Sequence, residues 1–219
     1  MIPSGDLPHR LKTLIKQTPS NKEGSVKLYE IIQPPERASV VEREKSGEAE
    51  IACTVPEDCV CIQWTLPTGL FNFLREDKNA DGAFFIQQGK GDLIEAHIVE
   101  CKKTVDQKKW TDIVQQMRWT LSKLLALAGA LGLSMSRVVL YTAFRNDSLS
   151  FERSPNITDM KRTIGEQSDE DLQLNEEGRE LLDWEDDKVR LRGFEGTFSH
   201  RKIQLDKETG RGTVTFERS

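Results

Sequence analysis

Residues 79–103, NADGAFFIQQGKGDLIEAHIVECKK, decide how the rest of the chain is read. Two apolar runs, AFFI at 83–86 and LIEAHIVEC at 93–101, flank a Gly-rich turn, QQGKGD at 87–92. This pattern predicts a hairpin with strands over 82–87 and 92–102. Asp81 opens the first strand, and Glu100 and Lys102 close the second. Side chains alternate along a strand, so Glu100 and Lys102 share a face with Ile94, Ala96 and Ile98, while Cys101 points the other way. A hairpin sets the start of one strand beside the end of its neighbour. The two acids and the lysine therefore converge at one edge of the sheet.

C-terminal to the hairpin, Trp110, Ile113, Val114, Met117, Leu121, Leu124, Leu125, Ala128 and Leu131 recur at intervals of three and four, which predicts a long helix over 106–131 with one apolar face. Thr104 or Asp106 can cap its first turn, and Gly132 ends it. RVVLYTAF, residues 137–144, then reads as a buried strand, and strand–helix–strand implies a parallel crossover. N-terminal to the hairpin, residues 6–17 predict a short basic helix. SVKLYEIIQ, ASVVERE, AEIACTV, DCVCIQWTL and LFNFL follow as β-prone runs between Pro and Gly breaks.

After Arg145 the sequence turns polar and acidic. We divide the chain into a core at 1–145, an acidic linker or helical insertion at 146–188, and strands at 189–219 that pack on the same domain. Within the acidic part, DEDLQLNEEGRELLDW at 169–184 has helical spacing, and the segment also suits a loop. At the C-terminal end, HRKIQLD and GTVTFER around DKETGRG read as a hairpin.

The 219 residues suffice for one large domain or two small ones, and a net charge of -5 argues against a surface coated by nucleic acid while leaving room for a basic patch in a cleft. The first twenty residues hold no apolar run of signal-peptide length, and LLALAGALGL at 124–133 is too short to span a bilayer, so we expect a cytoplasmic chain without membrane contact. Cys53, Cys59, Cys61 and Cys101 lack zinc-ligand spacing and read as small buried residues in a reduced compartment. His97, in mid-strand, reads as a core histidine, Met117 as core, and the tryptophans as packing.

Two carboxylates side by side repel and raise each other's pKa unless a cation lies between them. A hard divalent ion takes oxygen ligands, keeps several waters, polarises a phosphoryl oxygen and helps make hydroxide from water. A neighbouring lysine stabilises the charge that develops or orients the attacking water. Asp81, Glu100 and Lys102 therefore point to metal-dependent phosphodiester hydrolysis. The spacing of acid, any residue and lysine also occurs at Glu76/Lys78, Asp106/Lys108, Asp159/Lys161 and Asp186/Lys188, all in polar surroundings. Only at 100–102 does it end an apolar strand, follow a strand opened by Asp and precede a long amphipathic helix. The plain alternative is a solvated ion pair at a strand end.

Asp81, eighteen further residues and then Glu100–Cys101–Lys102 on a hairpin, followed by a helix and a strand, resemble the PD-(D/E)XK phosphodiesterase superfamily, which includes many restriction endonucleases, repair nucleases and Holliday-junction resolvases. The likeness spans roughly residues 75–145. It implies an α/β chain with a restriction-endonuclease-like αβββαβ core and mixed sheet, here extended by N-terminal strands and a C-terminal β-hairpin. It implies Mg²⁺ or Mn²⁺ as cofactor, held by Asp81, Glu100 and the carbonyl of Cys101, with Lys102 as the catalytic lysine. A helix glutamine used by some members maps to Gln115 or Gln116, of which we take Gln116; Gln107 is less well placed. Two departures stand out: Ala80 replaces the proline before the first acid, and the N-terminal helix carries only Asp6 where many members have an acid. Glu48 and Glu50 are candidate substitutes.

Lys103, Lys108, Lys109 and Arg118 are the candidate nucleic-acid contacts beside the site, and Arg190, Arg192, Arg201, Lys202 and Arg211 form a second basic group. The expectation is a nuclease acting on DNA, with RNA left open, as a homodimer or as a subunit of a defence or repair system. The alternative is an inactive nuclease-fold module that binds nucleic acid or a protein partner.

Overall fold

A computed structural model describes residues 7–14, 28–44, 47–67, 78–149 and 183–217. The expected strand LFNFL and the acidic helix, apart from Asp183 and Trp184 at its end, lie outside the described residues. In chain order the elements are α1 (Leu7–Leu14), β1 (Tyr29–Ile32), β2 (Arg37–Glu44), β3 (Gly47–Thr54), β4 (Cys59–Trp64), β5 (Gly82–Gln88), β6 (Leu93–Val105), α2 (Gln107–Leu131), β7 (Ser134–Asp147), β8 (Lys188–Val189), β9 (Phe198–Gln204) and β10 (Arg211–Thr215).

The hairpin forms as expected. β5 and β6 pair antiparallel from Gly82↔Val99 to Ile86↔Glu95, and the turn between them uses positive φ at Gly89 (66°) and Gly91 (154°). α2 is capped by Asp106, whose carboxylate accepts the Lys109 N–H, and stops at Gly132 in the left-handed region. β7 then lies parallel to β6, from Leu93↔Ser134 to Val105↔Asp147. The result is a mixed seven-stranded sheet in the order β1-β4-β5-β6-β7-β9-β8, with a second, three-stranded sheet β10-β3-β2.

Both faces of the large sheet are covered, which is why β5 and β6 are buried almost throughout rather than alternately. One face packs Ile94, Ala96 and Ile98 against Trp110, Ile113, Met117, Leu121 and Leu124 of α2. The other packs Phe84, Val99, Cys101 and Tyr141 against Val40, Ile51 and Cys53 of the small sheet. Cys59 and Cys61 do share a face, and all four thiols are free and buried in this second core. Arg10 of α1 ties the layers: it donates to the carbonyls of Leu131 (3.1 Å) and Gly132 (2.8 Å) at the negative end of α2 and pairs with Asp92 in the hairpin turn.

The C-terminal hairpin does not form. β9 joins the large sheet parallel to β7, while β10 joins the small sheet parallel to β3. The turn itself is present, with Asp206 accepting the Glu208 and Thr209 N–H groups and Gly210 at φ 72°. It becomes a crossing between sheets because Leu205 and Phe216 insert into the core that separates them. Leu125 is also a correction: it is exposed, and Leu127 is buried in its place.

Candidate metal centre

The register that pairs Gly82 with Val99 sets Asp81 beside Glu100, and the two acids lock each other. The Asp81 N–H donates to Glu100 Oε2 at 3.1 Å, and the Cys101 N–H donates to Asp81 Oδ2 at 2.9 Å. Glu100 is fully buried, whereas Asp81 is exposed, so the pair opens to solvent on the Asp81 side. Lys102 Nζ stands 2.6 Å from Glu100 Oε1 and donates to the carbonyl of Cys101 at 3.1 Å.

A third acid completes the group, and the sequence reading missed it. Glu42, on β2 of the small sheet, pairs with Lys102, and ligand atoms of Glu42, Asp81 and Glu100 lie within 4.8 Å of one another. Gly82 makes this approach possible. A Cβ there would stand 2.6 Å from Val40 Cγ2, so only glycine lets β2 settle this close to the start of β5. Glu42 lies two residues beyond Val40 and so shares its face. Glu48 and Glu50 are not the substitutes: Glu48 pairs with Arg43 at 3.6 Å, and Glu50 with Arg211 at 3.1 Å. The signal for Glu42 was present in ASVVERE, where Ala38, Val40 and Glu42 repeat the pattern of a buried strand face ending in an acid.

Helix α2 holds the segment that leads into Asp81. Thr120 Oγ1 accepts the Ala80 N–H at 2.8 Å, Gln116 Nε2 donates to the Asn79 carbonyl at 3.1 Å, and Lys123 Nζ donates to Asn79 Oδ1 at 2.6 Å. Gln116 thus touches the lead-in segment, not the carboxylates. Gln115, with Asp112, contacts Lys78. The buried Thr120 and Lys123 sit on the apolar stripe of α2, where periodicity alone registers only a gap.

The electrostatics follow from this crowding. Burial, with Asp81 adding to it, pushes the Glu100 carboxyl up to about 8 against the pull of Lys102. Burial works against the Lys102 ammonium, yet Glu100 and Glu42 beside it more than offset this and raise its pKa above the ordinary lysine value. Three carboxyl groups share one ammonium, which leaves the cluster short of positive charge. With the Cys101 carbonyl they form an all-oxygen donor set that suits a hard divalent cation.

Among the basic candidates, Arg118 lies over the Trp119 ring at 4.7 Å, and the Lys109 N–H serves the helix cap. The second basic group is largely neutralised: Arg190 pairs with Asp183, Arg201 with Glu217, Lys202 with Asp187 and Arg211 with Glu50. His97 is the core residue expected, its Nδ1 2.9 Å from the Tyr141 hydroxyl. Among the described residues no helix is long and apolar enough to cross a membrane. Comparison with protein-family models, with curated proteins and with solved structures finds no match.

Proposed function

We propose that the chain is a Mg²⁺- or Mn²⁺-dependent nuclease of the PD-(D/E)XK type, hydrolysing phosphodiester bonds in DNA. The observation that carries this reading is the convergence of Glu42, Asp81 and Glu100 on Lys102 at the end of β6. The run β4-β5-β6-α2-β7, an antiparallel meander followed by a helix and a parallel strand, supports the restriction-endonuclease-like core. Glu42 supplies an upstream acid from the small sheet, which weakens the alternative of a vestigial binding module.

Glu42, Asp81, Glu100 and the Cys101 carbonyl would hold the ion. When bound, it would polarise the scissile phosphoryl group and lower the pKa of an attacking water. The Asp81 N–H bonded to Glu100 and the Cys101 N–H bonded to Asp81 fix the orientation of both carboxylates. Lys102 supplies positive charge to the phosphorane-like transition state or orients the water. Lys103, Lys108, Lys109 and Arg118 are proposed to contact the nucleic-acid backbone, in a homodimer or a larger assembly.

The test is incubation of the purified chain with plasmid, linear and single-stranded DNA and with RNA, in Mg²⁺, Mn²⁺ or EDTA, beside Lys102→Ala. Cleavage that requires metal and disappears in the variant supports the reading. Nucleic-acid binding unaffected by the variant, without cleavage, favours the inactive module.

A further inference from the structure

Lys102 does more in this site than stand beside a metal. Its Nζ makes three oxygen contacts: the Cys101 carbonyl at 3.1 Å, Glu100 Oε1 at 2.6 Å and Glu42 Oε1. These are atoms of the residues that would ligate a divalent ion. Glu100 Oε1 is buried, and the Lys102 ammonium stands against it. The Lys102 side chain is only 11% exposed. An octahedral cation needs its oxygens at about 2.0–2.1 Å. An ion and an ammonium bound to the same oxygens would be like charges nearly in contact, in a setting where water screens them poorly.

We infer that the Lys102 ammonium is a built-in competitor for the metal, holding the cation position between Glu42, Glu100 and the Cys101 carbonyl until a divalent ion displaces it. The inference rests on the metal-site reading above and adds to it a regulated exchange. Metal entry turns the lysine from a structural counter-ion into a free ammonium able to meet phosphate. The chain thereby keeps its acid cluster compensated at low metal concentration, at a cost in metal affinity.

Two measurements test this. In calorimetric titration with Mn²⁺, Lys102→Met should bind the ion about tenfold or more tightly than the wild type. A lysine that merely repelled the ion from nearby would have a similar effect. The deciding readout is therefore the accessibility of Lys102 in the wild-type chain, followed by reductive methylation and peptide mass spectrometry with and without saturating Mg²⁺. This readout also holds if the Met variant folds poorly. The exchange predicts that Lys102 methylates severalfold faster once metal is bound. Unchanged or slower methylation with bound metal overturns the exchange and leaves the metal site standing. Failure of wild type and variant alike to bind Mn²⁺ overturns both.

Discussion

A methyl group on Gly82 would stand 2.6 Å from Val40 Cγ2 and 2.9 Å from the Phe84 ring. Gly82→Ala must therefore push β2 outward or strain the start of β5, and overpacking of this kind costs about 1–3 kcal/mol. Urea denaturation should show that loss, and Val40→Ala in the same chain should recover part of it. Asp81→Asn acts in the opposite direction. An Asn carbonyl oxygen can still accept the Cys101 N–H, and the repulsion on Glu100 falls. In EDTA this variant should unfold no earlier than wild type, while the stabilisation that Mn²⁺ gives the wild type should vanish. At this scale Asp81, Glu100 and Lys102 were legible in the sequence because one hairpin brings them together. Glu42 shows in the sequence only as an acid ending a buried strand face; its place in the site was not legible, because the packing of a second sheet delivers it across about sixty residues of chain.

Among the elements, α2 links the core to the site. Its apolar period located it almost to the residue. Its role as a latch rests on Thr120, Gln116 and Lys123, polar groups whose partners in residues 79–80 no periodicity names. Thr120→Val keeps the shape but removes the acceptor of the buried Ala80 N–H. It should cost about 1–3 kcal/mol, the range for a buried donor left unpaired. Hydrogen exchange at Ala80 should quicken together with the loss seen on denaturation; loss of stability without faster exchange would place the damage elsewhere. The C-terminal strands teach a related lesson. The turn at 206–210 reads correctly as a turn, but local turn chemistry cannot say whether the strands it joins stay together. Leu205 and Phe216 send them to different sheets.

At the scale of the whole molecule, the described residues form two sheets with helices on one outer face and bury two histidines in neutral form. His97 faces Glu95, Arg137 and Tyr141, and burial lowers its pKa to about 4; His200 faces Lys202, Asp187 and Thr142, and burial lowers its pKa to about 3. Each folded-state value lies below the ordinary 6.5. Their contribution is therefore present above pH 6.5 and drains away as the pH falls toward about 4 for His97 and about 3 for His200, because the unfolded chain takes up the protons first. Thermal melts in EDTA should show this acid limb, and His200→Phe should make it shallower by about 1.4 kcal/mol per pH unit. An equally steep limb in that variant would remove His200 from the account.

Glu42, Asp81 and Glu100 are proposed to form one cation site. Titration of the wild-type chain with Mn²⁺, followed by the electron paramagnetic resonance of the free ion, tests it most directly. The expected result is saturable binding that Asp81→Asn and Glu42→Gln each abolish or weaken by an order of magnitude or more, about 1.4 kcal/mol at the least. No binding by the wild type, or equal binding by all three chains, would contradict it.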